Sequence, residues 1–252
     1  MDCSIDGFVK EEIVESAALL QNRIVLLSEP VTAETASRLI AELLLLDAAD
    51  HSSRIDLYIN SPGGTVSDGL AIIDAMRCVQ APVSTVCIGQ AASMAAWILA
   101  AGARGQRYAS PNAEVMIHQV ATGFSGPAAH IKVMAERTMR LQRRLIDLLA
   151  EFTGQPAARI EEDLERDCFL TAELAAAYGL VDAVLEPYPR GAKCLSRQIA
   201  APCPGSRPSP MPLLLTMRGD RQSLLGDWTP APLIGRASCV RYRNHDWFPS
   251  TY

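Results

Sequence analysis

Two periods of apolar residues alternate along this chain. The runs at 23–27, at 55–60 and at 83–88 are short and rich in Ile, Leu and Val, and read as strands. Between them, Leu39, Ile40, Leu43, Leu44 and Leu46 recur at helical spacing behind Thr32, a residue able to cap the helix N-terminus. Leu70, Ile72, Ile73 and Met76 predict a second helix after Ser61-Pro62-Gly63-Gly64, and Ser93 opens a third. Residues 107–109 and 114–117 predict two short strands around a Pro111-Asn112 turn. A long helix over 128–152 follows and stops at Thr153-Gly154. A shorter helix before Asp167, another between Thr171 and Gly179, and a strand at 181–185 complete the pattern. Strands alternating with helices across 23–185 predict an α/β domain.

The pattern ends near residue 186. Ten of the 16 prolines come later, five of them between Pro202 and Pro212, and no apolar period is sustained there. The expected organisation is an N-terminal segment over 1–19, one domain over 20–186 and a Pro-rich, disordered or loosely docked extension over 187–252. The net charge of −5 hides an asymmetry: residues 1–186 carry 14 Lys/Arg against 25 Asp/Glu, and the extension nine against three. An acidic body argues against nucleic acid as its partner. Apolar runs are too short for a membrane span. The first twenty residues carry acids where a secretory signal has a basic start, so a cytoplasmic location is expected. The seven cysteines form no CxxC pair and no metal-ligand spacing, and predict reduced thiols and no bound metal.

The candidate chemistry lies in three local sequences: Gly89-Gln90-Ala91-Ala92-Ser93-Met94, Met116-Ile117-His118-Gln119 and Arg166-Asp167. A serine needs a base to take its proton and a carboxylate to orient that base. The order Ser…His…Asp excludes the α/β-hydrolase arrangement and those of chymotrypsin and subtilisin. Ser93 at a helix start places the Met94 N–H, which has no intrahelical partner, beside the nucleophile as an oxyanion donor. A second donor is expected from the bulk-free loop Gly63-Gly64. Each residue alone has an ordinary reading: Ser93 as a helix cap, His118 as a structural histidine, Asp167 as a salt-bridged loop acid.

Leu57-Tyr58-Ile59-Asn60-Ser61-Pro62-Gly63-Gly64, the Ser93 and His118 stretches, Arg166-Asp167, Thr153-Gly154-Gln155 and the run from Ala176 to Asp182 together resemble the Clp protease proteolytic subunit (ClpP) family, over about residues 20–186. The resemblance implies an ATP-dependent Clp-type serine endopeptidase: Ser93 as nucleophile, His118 as general base, Asp167 as its orienter, and the Gly64 and Met94 N–H groups as oxyanion hole. It implies a crotonase-like fold of repeated β-β-α units with a protruding strand-helix handle. It further implies two stacked heptameric rings, a tetradecamer, fed with unfolded protein by an AAA+ unfoldase; ATP is used by that partner, and this chain needs no cofactor. The segment Val120-Ala121-Thr122-Gly123-Phe124-Ser125-Gly126 corresponds to the handle strand, so Gly63, Gly123, Phe124 and Ser125 are expected to line the substrate, whose backbone can pair there as an added strand.

Several positions depart from the family pattern. Ala95 stands where glycine is usual, Val120 where proline is, and Pro127 where glutamine is common. Asp56 takes a usually aromatic position in the pocket where the unfoldase loop docks, and a carboxylate there opposes an apolar anchor. Residues before 20 lack the usual axial-loop pattern, and the long extension is atypical. Two alternatives follow: a specialised or non-catalytic ring subunit of a mixed Clp complex, and a crotonase-type acyl-CoA enzyme using the oxyanion hole without the serine.

Overall fold

Among the described residues eight strands join into one sheet whose order is β1-β2-β3-β5-β6-β8, with β4 attached to β3 and β7 to β4. The computed structural model describes residues 17–186 and the backbone of 240–241. Apart from residues 17–19 and 240–241, the segments expected as an N-terminal piece and a C-terminal extension lie outside the described residues. In chain order the elements are β1 (Ile24–Leu27), α1 (Ala33–Ala49), β2 (Ile55–Ser61), α2 (Val66–Cys78), β3 (Val83–Ala92), α3 (Met94–Ala100), β4 (Arg107–Ala109), β5 (Glu114–Ile117), α4 (Ala128–Thr153), α5 (Ala157–Leu164), β6 (Cys168–Thr171), α6 (Ala172–Tyr178), β7 (Ala183–Val184) and β8 (Val240–Arg241). Thr32 caps α1 by accepting from the Thr35 N–H, and Thr171 caps α6 by accepting from the Leu174 N–H.

Strand β3 organises the sheet. It pairs with β2 on one side, in parallel. On its other side Thr85–Cys87 pair with β4, and beyond Gly89 the stretch Gln90–Ala92 pairs with β5. The expected strand over 83–88 therefore runs on through its glycine to Ala92, because both halves find partners. Strands β5 and β6 are antiparallel, and β8 continues beyond β6 in the same sense, a pairing not legible in the extension's composition. Helix α3 carries only apolar side chains, and all seven of its residues are buried. The Trp97 indole N–H donates to the Leu145 carbonyl at 2.9 Å, tying α3 to the buried C-terminal half of α4. The N-terminal half of α4 leaves Ile131, Val133 and Met139 exposed.

Arg107 ties β4 to three neighbouring elements. Its guanidinium donates to Ala100 O at the end of α3, to Phe152 O near the end of α4, and to both oxygens of Asp182 just before β7. Burial pushes the Asp182 carboxyl up, but hydrogen bonds from the Arg107 side chain and backbone, with its charge, outweigh this and leave it below the ordinary value. A depressed carboxyl contributes stability that is complete above its ordinary pKa of 3.8 and is lost as pH falls through the lower folded value. Asp182→Ala strands a buried guanidinium, so urea unfolding at neutral pH should show a loss of about 3–5 kcal/mol. The variant should also lose this acid-limb dependence below pH 4, which urea midpoints across pH would test.

Candidate active site

Sheet register, rather than any local motif, brings the candidate residues together. Ala92 stands beside Met116 in the β3–β5 ladder, and the Ser93 N–H continues it by donating to Met116 O at 2.8 Å. In the β5–β6 ladder Ile117 faces Cys168, so one step further His118 faces Asp167. One sheet edge thus presents all three side chains. His118 Nε2 lies 2.8 Å from Ser93 Oγ, and His118 Nδ1 lies 3.7 Å from Asp167 Oδ1. The first is a hydrogen bond and the second an ion-pair distance; the Asp167 carboxylate is 58% exposed and must move by roughly 1 Å to bond the ring.

Ser93 has φ +50° and ψ −130°, a backbone conformation that L residues rarely adopt. Such strain persists where surrounding structure imposes it, and it is common at turns that project a nucleophile. The serine hydroxyl makes no capping bond to α3, which leaves it for His118. Its sharp turn is enclosed by the loop after β2. An added Cβ on Gly63 would lie 2.4 Å from Ala92 O, 2.7 Å from Ser93 Cβ and 2.8 Å from Met94 N. Gly63 and Gly64 take φ of +85° and +154°, which only glycine adopts without strain. The loop is held from behind: Val31 N–H donates to Gly63 O, Thr65 N–H to Val31 O, and Gly63 N–H to the Ser61 hydroxyl. These bonds leave the Gly64 N–H without an acceptor among the described residues. The Met94 N–H, at the first turn of α3, is likewise without one.

A cleft of about 450 Å³ opens over Ser93, His118 and Asp167, and Gly63, Gly64 and Met94 form part of its wall. Val66, Trp97, Met116, Val120 and Leu145 make the rest largely apolar. Trp97 and Leu145 are wall residues that sequence reading passed over; both lie in apolar helical runs that look like ordinary core. Gly123, Phe124 and Ser125 do not line this cleft. Residues 120–126 form no strand here, although the Val120 N–H is tied to Gln142 of α4 at 2.8 Å. An extended segment becomes a strand only with a partner edge, and none of the described residues offers one.

Asp56 is not an isolated carboxylate. Its Oδ1 sits 2.8 Å from Arg54 Nε, and the pair lies beside Tyr58 on the outer face of β2, where Leu26 of β1 stands opposite Tyr58. The cysteines depart from the uniform reduced state expected. Cys78 and Cys87 are free thiols, and burial pushes Cys87 up to about 12. Cys168, by contrast, is disulfide-bonded. Among the described residues no three His, Cys, Asp or Glu side chains converge to hold a metal ion, and no helix is long and apolar enough to cross a membrane.

Comparison with known families bears on the same span. Residues 10–188 match the sequence model of the Clp protease family. The match takes in every element named above except β8, and the mixed α/β sheet with its helices is consistent with the fold of Clp-type peptidases. Since most of the chain is matched, including the two glycines, the strained serine turn and the His–Asp edge, this protein belongs to the Clp protease family.

Proposed function

We propose that this chain is a serine endopeptidase subunit that cleaves unfolded polypeptide. The observation that carries the reading is the 2.8 Å contact between His118 Nε2 and the Ser93 hydroxyl on its strained turn, with Gly64 and Met94 in the wall of the same cleft. Ser93 Oγ attacks the scissile carbonyl while His118 takes its proton. The Gly64 and Met94 N–H groups hold the oxyanion. His118 then returns the proton to the leaving amine, and a water repeats the sequence on the acyl-serine. Asp167 orients the imidazole and stabilises its charged form once the carboxylate closes on Nδ1. The apolar wall of Val66, Trp97, Met116 and Leu145 favours an apolar side chain next to the cleaved bond.

The exposed apolar residues in the outer half of α4 support assembly with further copies of the chain, and stacked heptameric rings are the arrangement proposed. Substrate would be fed by an AAA+ unfoldase, which consumes the ATP. A fluorophosphonate probe followed by native mass spectrometry tests the reading. One adduct per subunit, on Ser93, is expected, in assemblies of two stacked rings. A folded protein that neither labels nor hydrolyses peptides would overturn it.

Docking of the unfoldase has its own test. An apolar loop seated beside Tyr58 must desolvate the Arg54–Asp56 pair, a cost on the order of 1–3 kcal/mol when the partners are imperfectly satisfied. Homomeric rings should therefore bind such a loop about tenfold or more weakly than rings of Asp56→Tyr. Asp56→Tyr alone leaves Arg54 facing the loop, so Arg54→Leu/Asp56→Tyr should show the larger gain. Hydrolysis of short peptides should not change in either variant. Tight binding by the unaltered protein, with no response to either variant, would remove this expectation.

A further inference from the structure

Behind the Gly63 contact, the two segments that carry the proposed oxyanion donors meet again, away from the reacting atoms. Helix α2 starts directly after the Gly64 loop, and its Gly69 N–H donates to Thr65 O in the first turn. Gly69 is buried, and the Met94 side chain lies flat against it. A Cβ added there would fall 2.1 Å from Met94 Cγ, with Cε and Sδ both at 3.0 Å. Met94 is itself 2% exposed and enclosed by core, so its side chain has little room to swing away. The contact thus joins the segment that carries the Gly64 N–H to the segment that carries the Met94 N–H.

We infer that Gly69 is a positioning residue: by letting Met94 seat directly on the α2 backbone, it sets the separation of the two oxyanion donors. The inference rests on the peptidase reading above. Gly69 φ is ordinary, since it falls outside the left-handed range. Its requirement is therefore one of space and not of backbone freedom. A methyl group there pushes Met94, and the residue that moves is the one whose N–H faces the oxyanion. Oxyanion stabilisation depends on donors placed for the tetrahedral state and not for the ground-state carbonyl. The expected signature is therefore a fall in kcat at nearly constant KM.

Three variants test this: Gly69→Ala, Met94→Ala and the double variant. Each single change should lower kcat for a short peptide about tenfold to a hundredfold. Each should weaken inhibition by a peptide boronate, which mimics the tetrahedral state, in the same proportion, with KM little changed. In the double variant the methyl group introduced by Gly69→Ala occupies the space that Met94→Ala vacates, so most of both losses should return. A purely structural role for Gly69 would lower melting temperature without this parallel between kcat and boronate affinity. Additive losses, or a kcat unchanged in Gly69→Ala, overturn the inference. If Gly69→Ala does not fold, recovery from Met94→Ala to the double variant still decides the matter. Fluorophosphonate labelling of the unaltered protein separates the two failures. No label and no hydrolysis overturns the peptidase reading and this inference with it, while normal labelling with additive losses overturns the positioning role alone.

Discussion

Ser93→Ala should abolish peptide hydrolysis, with kcat falling on the order of 10⁵–10⁶-fold. That corresponds to about 7–8 kcal/mol of transition-state stabilisation at 1.36 kcal/mol per decade. What remains would come from binding and from the Gly64 and Met94 N–H groups, which do not depend on the hydroxyl. His118→Ala should be nearly as severe, and the double variant scarcely worse, because a nucleophile without its base and a base without its nucleophile fail together. Stability and assembly should be unchanged in Ser93→Ala. The hydroxyl makes no capping bond, its hydrogen-bond partner is His118, and alanine meets the same backbone strain at φ +50° as serine. Single-turnover kinetics and sedimentation of the same preparation read both halves of the expectation. Turnover at the unaltered rate in Ser93→Ala would end the proposed chemistry.

Gly63→Ala should damage the protein more broadly. The new methyl group would meet Ala92 O, Ser93 Cβ and Met94 N, all inside 3 Å, at a φ of +85° that alanine resists. None of these neighbours is the flexible end of a side chain, so the loop or the serine turn must shift. The Gly64 N–H and the Ser93 hydroxyl then no longer address the same carbonyl. The expected loss in kcat is about 10²–10³-fold, that of removing one oxyanion donor. Backbone strain and the forced contacts add a destabilisation of about 1–3 kcal/mol, visible in urea unfolding. Near-normal kcat with a lowered urea midpoint would show that Gly63 matters for folding alone.

The contrast between these two positions shows what could be read in advance. Ser93, His118 and Asp167 were legible because each stands in a distinctive local sequence, and because 25 and 49 residues separate them in the order that one family shares. Gly63-Gly64 was legible as a loop without side chains. The elements were equally open to reading: apolar positions at strand or helix period locate α1 to α6 and most of the strands to within a few residues. Besides β6 and β8, which no apolar period announced and which form on the edges of β5 and β6, two adjustments came from pairing. The strand at 83–88 extends through Gly89 to Ala92 because β5 offers it a second edge, while residues 120–126 form no strand because they find none.

Local sequence could not show how distant segments meet. Even between near neighbours the contact was not announced: Asp56 was read as a carboxylate opposing an apolar anchor, and Arg54, two residues away, pairs with it. Trp97 and Leu145 read as core and turned out to wall the cleft as well. Gly69 drew no reading from the sequence, since its meaning depends on Met94, which reaches it from another helix. In this protein the order of apolar and polar residues determined the elements and the chemical types available, because periodicity and side-chain chemistry are local properties. Registers between strands, the contacts that hold the Ser93 turn and the packing of Met94 on Gly69 were decided by tertiary structure, because each joins segments tens of residues apart.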